Sequence, residues 1–348
     1  VVGPASSVIG TNGTSQSTVI NTAYSTPLQV TVRDFLGNPV PNVTVTFTAP
    51  NSGPSGTFTD SMLTATATTN NAGIATASRF TANGKPGPYR VVAVVSGVLT
   101  PANFALMNIG TVASVSAASY ATAFAQEAIV AGFGQNLATA SGAAPGLPLP
   151  TTLFGTTITV KDAAGVTRPA PLFFVSPGQV NYLIPTGTAT GPATATITSG
   201  AGAVSMAIIQ IDTVAPGLFS ANANGQGVVA AVALRVKADG TQSYENVARF
   251  DHALNQFVSA PLDLGPSTEQ VFLVAFGTGF RFASRLSNVS VKMADADAQV
   301  FYAGSQGGLS GVDQVNVLIP RSLVGKGQVG IVLSVDGRTA NPVTLEIK

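Results

Sequence analysis

The chain has 348 residues, of which 45% are hydrophobic and only 9% charged, and its 16 Lys and Arg against 15 Asp and Glu leave a net charge of +1. That balance offers no basic field for nucleic acid or an anionic lipid surface. Zero cysteines and a single histidine exclude disulfides, thiolate chemistry and a structural zinc site. No apolar run approaches the ~18 residues of a membrane-spanning helix. No cofactor, no metal, no nucleic-acid partner and no membrane-spanning segment are therefore expected. The chain opens at Val1 without a charged or apolar leader, so it reads as a processed chain or a piece of a longer one.

The first segment, 1–110, reads as strands and turns. In LQVTVRD, Leu28, Val30 and Val32 share one face and Gln29, Thr31 and Arg33 the other, the period-2 pattern of a half-buried strand. Gly37-Asn38-Pro39 turns the chain into VTVTF, where Val43, Val45 and Phe47 point inward. Asn70-Asn71-Ala72-Gly73 leads into IATASRF, and Gly87-Pro88 into YRVVAVV. β-Branched and aromatic residues dominate throughout, which predicts a two-sheet sandwich of ~100 residues and about seven strands.

The stretches PLQVTVRDFLGNPVPNVTVTF, TTNNAGIATASRFTAN and GPYRVVAVV resemble the bacterial Ig-like domain of group 1 (Big-1), the module of invasin- and intimin-type adhesins. The resemblance implies a spacer within a cell-surface rod, and so a location more than a ligand.

The second segment, 111–212, opens on SVSAASYATAFAQ, readable as a helical turn or as a linker entering a strand, and continues through IVAGFG, TTITVKD, LFFVS, QVNYLIP, ATATITS and MAIIQI. The third, 213–348, carries an additional region at about 235–262. There Asp239-Gly240 predicts a β-hairpin, and 244–259 reads as a short helix. It then runs through VFLVAFGTGF, NVSVKM, QVFYAG, QVNVLIP, QVGIVLSVDG and PVTLEIK.

One pattern is written twice. QVNYLIP at 179–185 and QVNVLIP at 314–320 differ at a single position. Each follows a strand ending in Phe-Gly (Phe133-Gly134, Phe276-Gly277) and a strand carrying Val-Lys (Val160-Lys161, Val291-Lys292). Such a repeat is one folding unit used twice. Both copies resemble IPT/TIG-type Ig-like folds. From about residue 116 to the C-terminus the chain is similar to an uncharacterised C-terminal domain of exported proteins from Solibacter-type acidobacteria. The whole predicts an all-β chain of tandem immunoglobulin-like β-sandwich domains, with short linkers near 110–115 and 212–216 that restrict hinging.

No pattern of residues supports catalysis. His252, with Asp251, Arg249 and Glu245, forms the densest polar cluster and reads as a solvated hairpin face. Asp162, Asp239 and Asp336 are scattered turn acids, not a paired-carboxylate site. Asp295 and Asp297 form a D-x-D without the Gly and distal Glu of a calcium loop. Gly225-Gln226-Gly227 fits a loose dinucleotide fingerprint, but the β-branched run after it predicts a turn before a strand instead. Leu183–Gly187 only faintly resembles a sortase signal, and Asn12, Asn42 and Asn288 sit in glycosylation sequons. Phe173 and Phe174 are expected on opposite faces of one strand. The function expected is that of an exported structural or adhesive cell-surface protein, extracellular and non-enzymatic. The alternative is a glycan- or protein-binding module that recognises its surface partner through 235–262.

Overall fold

The computed structural model describes residues 2–348. Among them the regular structure is strand, broken only by short 3-10 turns at Thr59–Ser61, Leu286–Asn288 and Arg321–Leu323. The fold is all-β, built of several sheets. Its buried apolar side chains fall into three clusters that follow one another along the chain, Val8 to Leu106, Val112 to Ile211 and Val214 to Ile347.

In the first cluster Leu28, Val30, Val32, Val45 and Phe47 are buried as the alternation requires. Aromatic side chains fill this core: Phe47 lies 6.1 Å from Phe104, and Phe58 lies 4.7 Å from Phe80. At the end next to the second cluster sits a buried polar knot. Tyr24 donates to Asn108 Oδ1 at 2.7 Å, Tyr89 donates to the Tyr24 hydroxyl at 3.0 Å, and the Asn108 amide donates to the Ser55 carbonyl at 2.8 Å. Burial pushes the Tyr24 hydroxyl up to about 12.

The duplicated pattern folds the same way twice. In each copy the Phe of Phe-Gly pairs with the first residue of the heptapeptide, Phe133 with Gln179 and Phe276 with Gln314. That Gln then donates to the Asn two residues on, at 2.8 Å in both copies (Gln179 to Asn181, Gln314 to Asn316). On the other side of the heptapeptide lies LFFVS in one copy and VFYAGS in the other. Val160 and Val291, from the Val-Lys strands, bury into the opposite sheet's side of the core.

Phe173 and Phe174 do not take opposite faces. A β-bulge shifts the register between Leu172 and Phe174, so Leu172 and Val175 are buried while both phenylalanines are half-buried. The inserted residue breaks the two-residue period that the expectation relied on. The second copy bulges at the same place, between Val300 and Tyr302, and there leaves Phe301 and Tyr302 exposed.

The region 244–259 is not helical. It forms the strands Gln242–Asn246, Ala248–Asp251 and Gln256–Ser259. The first extends the sheet by pairing with Ala231–Val236 across a turn in which Gly240 has φ 81°, and the other two pair with each other. Cross-strand partners outweigh a weak helical pattern, of whose apolar residues only Val247 is fully buried in the core. SVSAASYATAFAQ likewise makes two strands, Ala113–Ser116 and Ala123–Ala125, joined by a turn.

No loop separates the first two clusters. The strand Ala102–Thr111 and the strand Ala113–Ser116 are divided by Val112 alone. Gly110 and Thr111 pair in parallel with Ser205 and Met206, so a sheet of the first cluster continues hydrogen-bonded into the second.

Candidate functional site

The polar cluster expected around His252 comes apart in three dimensions. Glu245 turns away to Arg235, which holds Glu245 Oε1 at 2.5 Å, Glu269 Oε2 at 2.8 Å and the Asp263 carbonyl at 2.5 Å. Hydrogen bonding to Glu245 outweighs burial and raises the Arg235 guanidinium above its ordinary value. This arginine pins the additional region to the sheet that carries it. Arg249 and Asp251 stay on the hairpin 3.8 Å apart, and His252 is exposed, edge-on to Phe250 at 5.1 Å. Among the described residues no acid forms a salt bridge or hydrogen bond with the imidazole.

What the hairpin does present is aromatic surface. Phe250 and Phe257 are 41% and 40% exposed and meet edge to face at 5.3 Å, while Tyr244 on the neighbouring strand is 68% exposed. Asn222 fixes the hairpin to the loop 221–228, since its amide donates to the Phe257 carbonyl and accepts from the Phe257 N–H, both at 2.8 Å. Between this loop, the hairpin and the strands Gly327–Val335 and Val343–Ile347 lies an open cleft of about 420 Å³. Gln226, Gln256, Gln328 and Thr344 line it.

A second constellation, unmarked in the sequence reading, lies between the second and third clusters. Arg281 Nη1 donates to Glu127 Oε2 at 2.7 Å, and its Nε donates to Asp313 Oδ1 at 2.6 Å. The other Asp313 oxygen accepts from the Phe280 and Arg281 N–H groups at 2.7 and 3.1 Å. Burial pushes the Asp313 carboxyl up, while the guanidinium and both amides oppose it. Only donors face its oxygens, so a proton there would find no acceptor and the carboxylate form is the one that fits. Nearby, Thr278 Oγ1 accepts from Ile129 N at 3.0 Å and donates to the Gly311 carbonyl at 2.7 Å, and the Tyr120 hydroxyl donates to the Ala223 carbonyl at 2.9 Å. The one available signal was Asp313 itself, a charge directly before a buried strand.

The remaining candidates resolve individually. Asp162 accepts from the Ala164, Val166 and Ala189 N–H groups and pairs with Arg168 at 2.5 Å, and these partners, Ala189 foremost, hold it below the carboxylate range. Asp239 accepts from Thr241 N inside its turn, and Asp336 accepts from Ser284, 52 residues away. Asp297 pairs with Lys292 at 3.2 Å on an exposed hairpin. Among the described residues, no group of three or more His, Cys, Asp or Glu is placed to hold a metal. Gly225 and Gly227, with φ of 77° and 78°, sit in a turn before a strand, and no helix follows. Asn12, Asn42 and Asn288 are exposed. No helix among the described residues is long and apolar enough to cross a membrane.

No protein-family model matches the chain, and no curated protein matches it. Among solved structures the chain is similar to invasin, titled a bacterial integrin-binding protein, at 15% identity over 98% of this chain and 60% of that one, with a TM-score of 0.24. It is also similar to the N-terminal eight Ig domains of Down Syndrome Cell Adhesion Molecule isoform 1.30.30, at 8% identity over 99% and 42%, TM-score 0.19. A third is Sidekick-1 immunoglobulin domains 1–5, at 10% identity over 99% and 59%, TM-score 0.19. The chain thus spans 60% or less of the length of each of these structures.

Proposed function

We propose that this chain is a non-catalytic structural or adhesive segment of an exported, extracellular or cell-surface bacterial protein. It consists of three Ig-like units, 1–110, 111–212 and 213–348, the last with its additional hairpin region at about 235–262. The Big-1-like character of the first unit, and the IPT/TIG-like, Solibacter-type character of the other two, belong to this reading. The observation that carries it is the pair of joints. A hydrogen-bonded sheet continues from Thr111 to Met206, and Arg281 spans from Glu127 to Asp313. Units that only needed tethering would not need charge pairs and shared strands at their boundaries, whereas a spacer that holds reach and orientation does.

Small-angle scattering of the intact chain tests this. A single stiff particle is expected, with Arg281→Ala broadening the distribution of dimensions. A compact globule, or a profile indifferent to that substitution, would sink the spacer reading.

A second reading, recognition of a glycan or protein through 235–262, is favoured by the exposed Phe250, Phe257 and Tyr244 on one hairpin region. It is compatible with the first, since a spacer can display a binding unit.

A further inference from the structure

We propose that the cleft beneath the Phe250–Phe257 hairpin binds a neutral glycan, a chain of uncharged hexose or N-acetylhexosamine rings. This rests on the second reading above and assigns it a ligand class and a place.

The lining excludes charge. No Asp, Glu, Lys, Arg or His borders the cleft, so phosphates, nucleotides and acidic sugars would leave water without a counter-charge. Its polarity is instead amide and hydroxyl. The side chains of Gln226, Gln256 and Gln328 make no hydrogen bond to the protein among the described residues, whereas Asn222 is fully engaged in holding the wall. A primary amide offers two donors and an acceptor about one carbon. That set matches sugar hydroxyls, which both donate and accept, and has little to offer an apolar or ionic ligand.

On the floor, Thr344 Oγ1 is buried with no protein partner, although its backbone is paired on both sides (Thr344 N to the Gly227 carbonyl at 2.7 Å, Val229 N to the Thr344 carbonyl at 3.0 Å). An unpaired buried hydroxyl is costly to folding, and because Thr344 borders the cleft, a ligand hydroxyl that displaced the packing over it would satisfy it. Phe257 supplies the apolar element, a half-exposed ring held edge-on by Phe250 against which the C–H face of a pyranose can lie. At about 420 Å³ the cleft is within the usual range for small-ligand sites. The wall is tied at Asn222, so little ordering accompanies binding.

The test titrates the intact chain with neutral hexasaccharides of glucose, mannose and N-acetylglucosamine, and with a sulfated hexasaccharide, read by saturation-transfer NMR and calorimetry. A neutral hexasaccharide is expected to bind, and the Gln256→Ala/Gln328→Ala pair to weaken it roughly tenfold with Tm unchanged, since both side chains are exposed and unpartnered. Thr344→Val is expected to weaken binding while leaving the chain folded. Binding that survives all three substitutions would overturn the cleft and leave glycan recognition standing elsewhere on the chain. Preference for the sulfated sugar would overturn the neutral class. If no sugar binds, both the cleft and the glycan form of the second reading fall.

Discussion

Arg281, from the stretch that builds the third buried cluster, and Glu127, from the stretch that builds the second, are joined at 2.7 Å, and the same guanidinium holds Asp313, whose side chain is fully buried. One arginine therefore serves two purposes, tying the units together and satisfying a carboxylate inside the third.

The two purposes separate on substitution. Arg281→Ala strands Asp313 as a buried, unpaired charge and is expected to cost the third unit about 3–5 kcal/mol. Glu127→Ala removes only a partly exposed partner and is expected to cost about 0.5–1 kcal/mol while still loosening the joint. Chemical denaturation followed unit by unit measures both, and equal costs would show that the arginine acts only across the boundary.

Thr278→Val tests the same joint by another route. It deletes the acceptor for Ile129 N and the donor to the Gly311 carbonyl in a fully buried position. A loss of about 1–3 kcal/mol is expected, with hydrogen exchange of the Ile129 amide accelerated. An unchanged exchange rate there would count against the bond.

At the other joint, a Cβ on Gly110 would approach Pro86 Cγ to 2.7 Å and crowd the Ser205 hydroxyl. Gly110→Ala is expected to destabilise the boundary by about 1–3 kcal/mol and to free the parallel pairing with Ser205. Proteolysis near Val112 should rise; resistance equal to the wild type would show that the pairing is dispensable.

Tyr182 is the one residue that separates the two heptapeptides, and its buried hydroxyl has only the Ser114 hydroxyl beside it, in a geometry too poor for a good hydrogen bond. Burial pushes that hydroxyl up to about 12. Tyr182→Phe is expected to raise stability by about 1 kcal/mol, read as a higher melting temperature of the second unit, whereas a drop would reveal an essential bond to that oxygen.

Acid should weaken the array through carboxylates that accept hydrogen bonds from distant segments. Asp34, held down to about 2 chiefly by the Gly3 N–H, and Asp162 and Asp336, lowered by Ala189 and Ser284 respectively, all ionise more readily folded than unfolded. Their contribution is complete above the unfolded value of 3.8 and lost as pH falls through the folded values. Melting temperature should fall steadily below pH 3.8, and less steeply in Asp34→Asn; a flat profile would contradict the assigned hydrogen bonds to these carboxylates.

Local chemistry alone determined the class of fold and its repetition. Alternation in LQVTVRD and VTVTF, Gly-containing turns and the twice-written heptapeptide each act within a few residues, so the strands and the shared Phe133–Gln179 and Phe276–Gln314 pairings follow from pattern. The tertiary structure decided whatever depended on distant partners. The bulge at Phe173 answers to the strand beside it, and the region 244–259 becomes extended because the sheet and Asn222 offer it hydrogen bonds. Glu245 leaves His252 for an arginine ten positions away, and Glu127, Arg281 and Asp313 meet from positions more than 150 residues apart at the extreme. Spacing along a chain encodes which face a side chain takes, but not which charge folding brings opposite it. The site and the joints are therefore legible only in three dimensions.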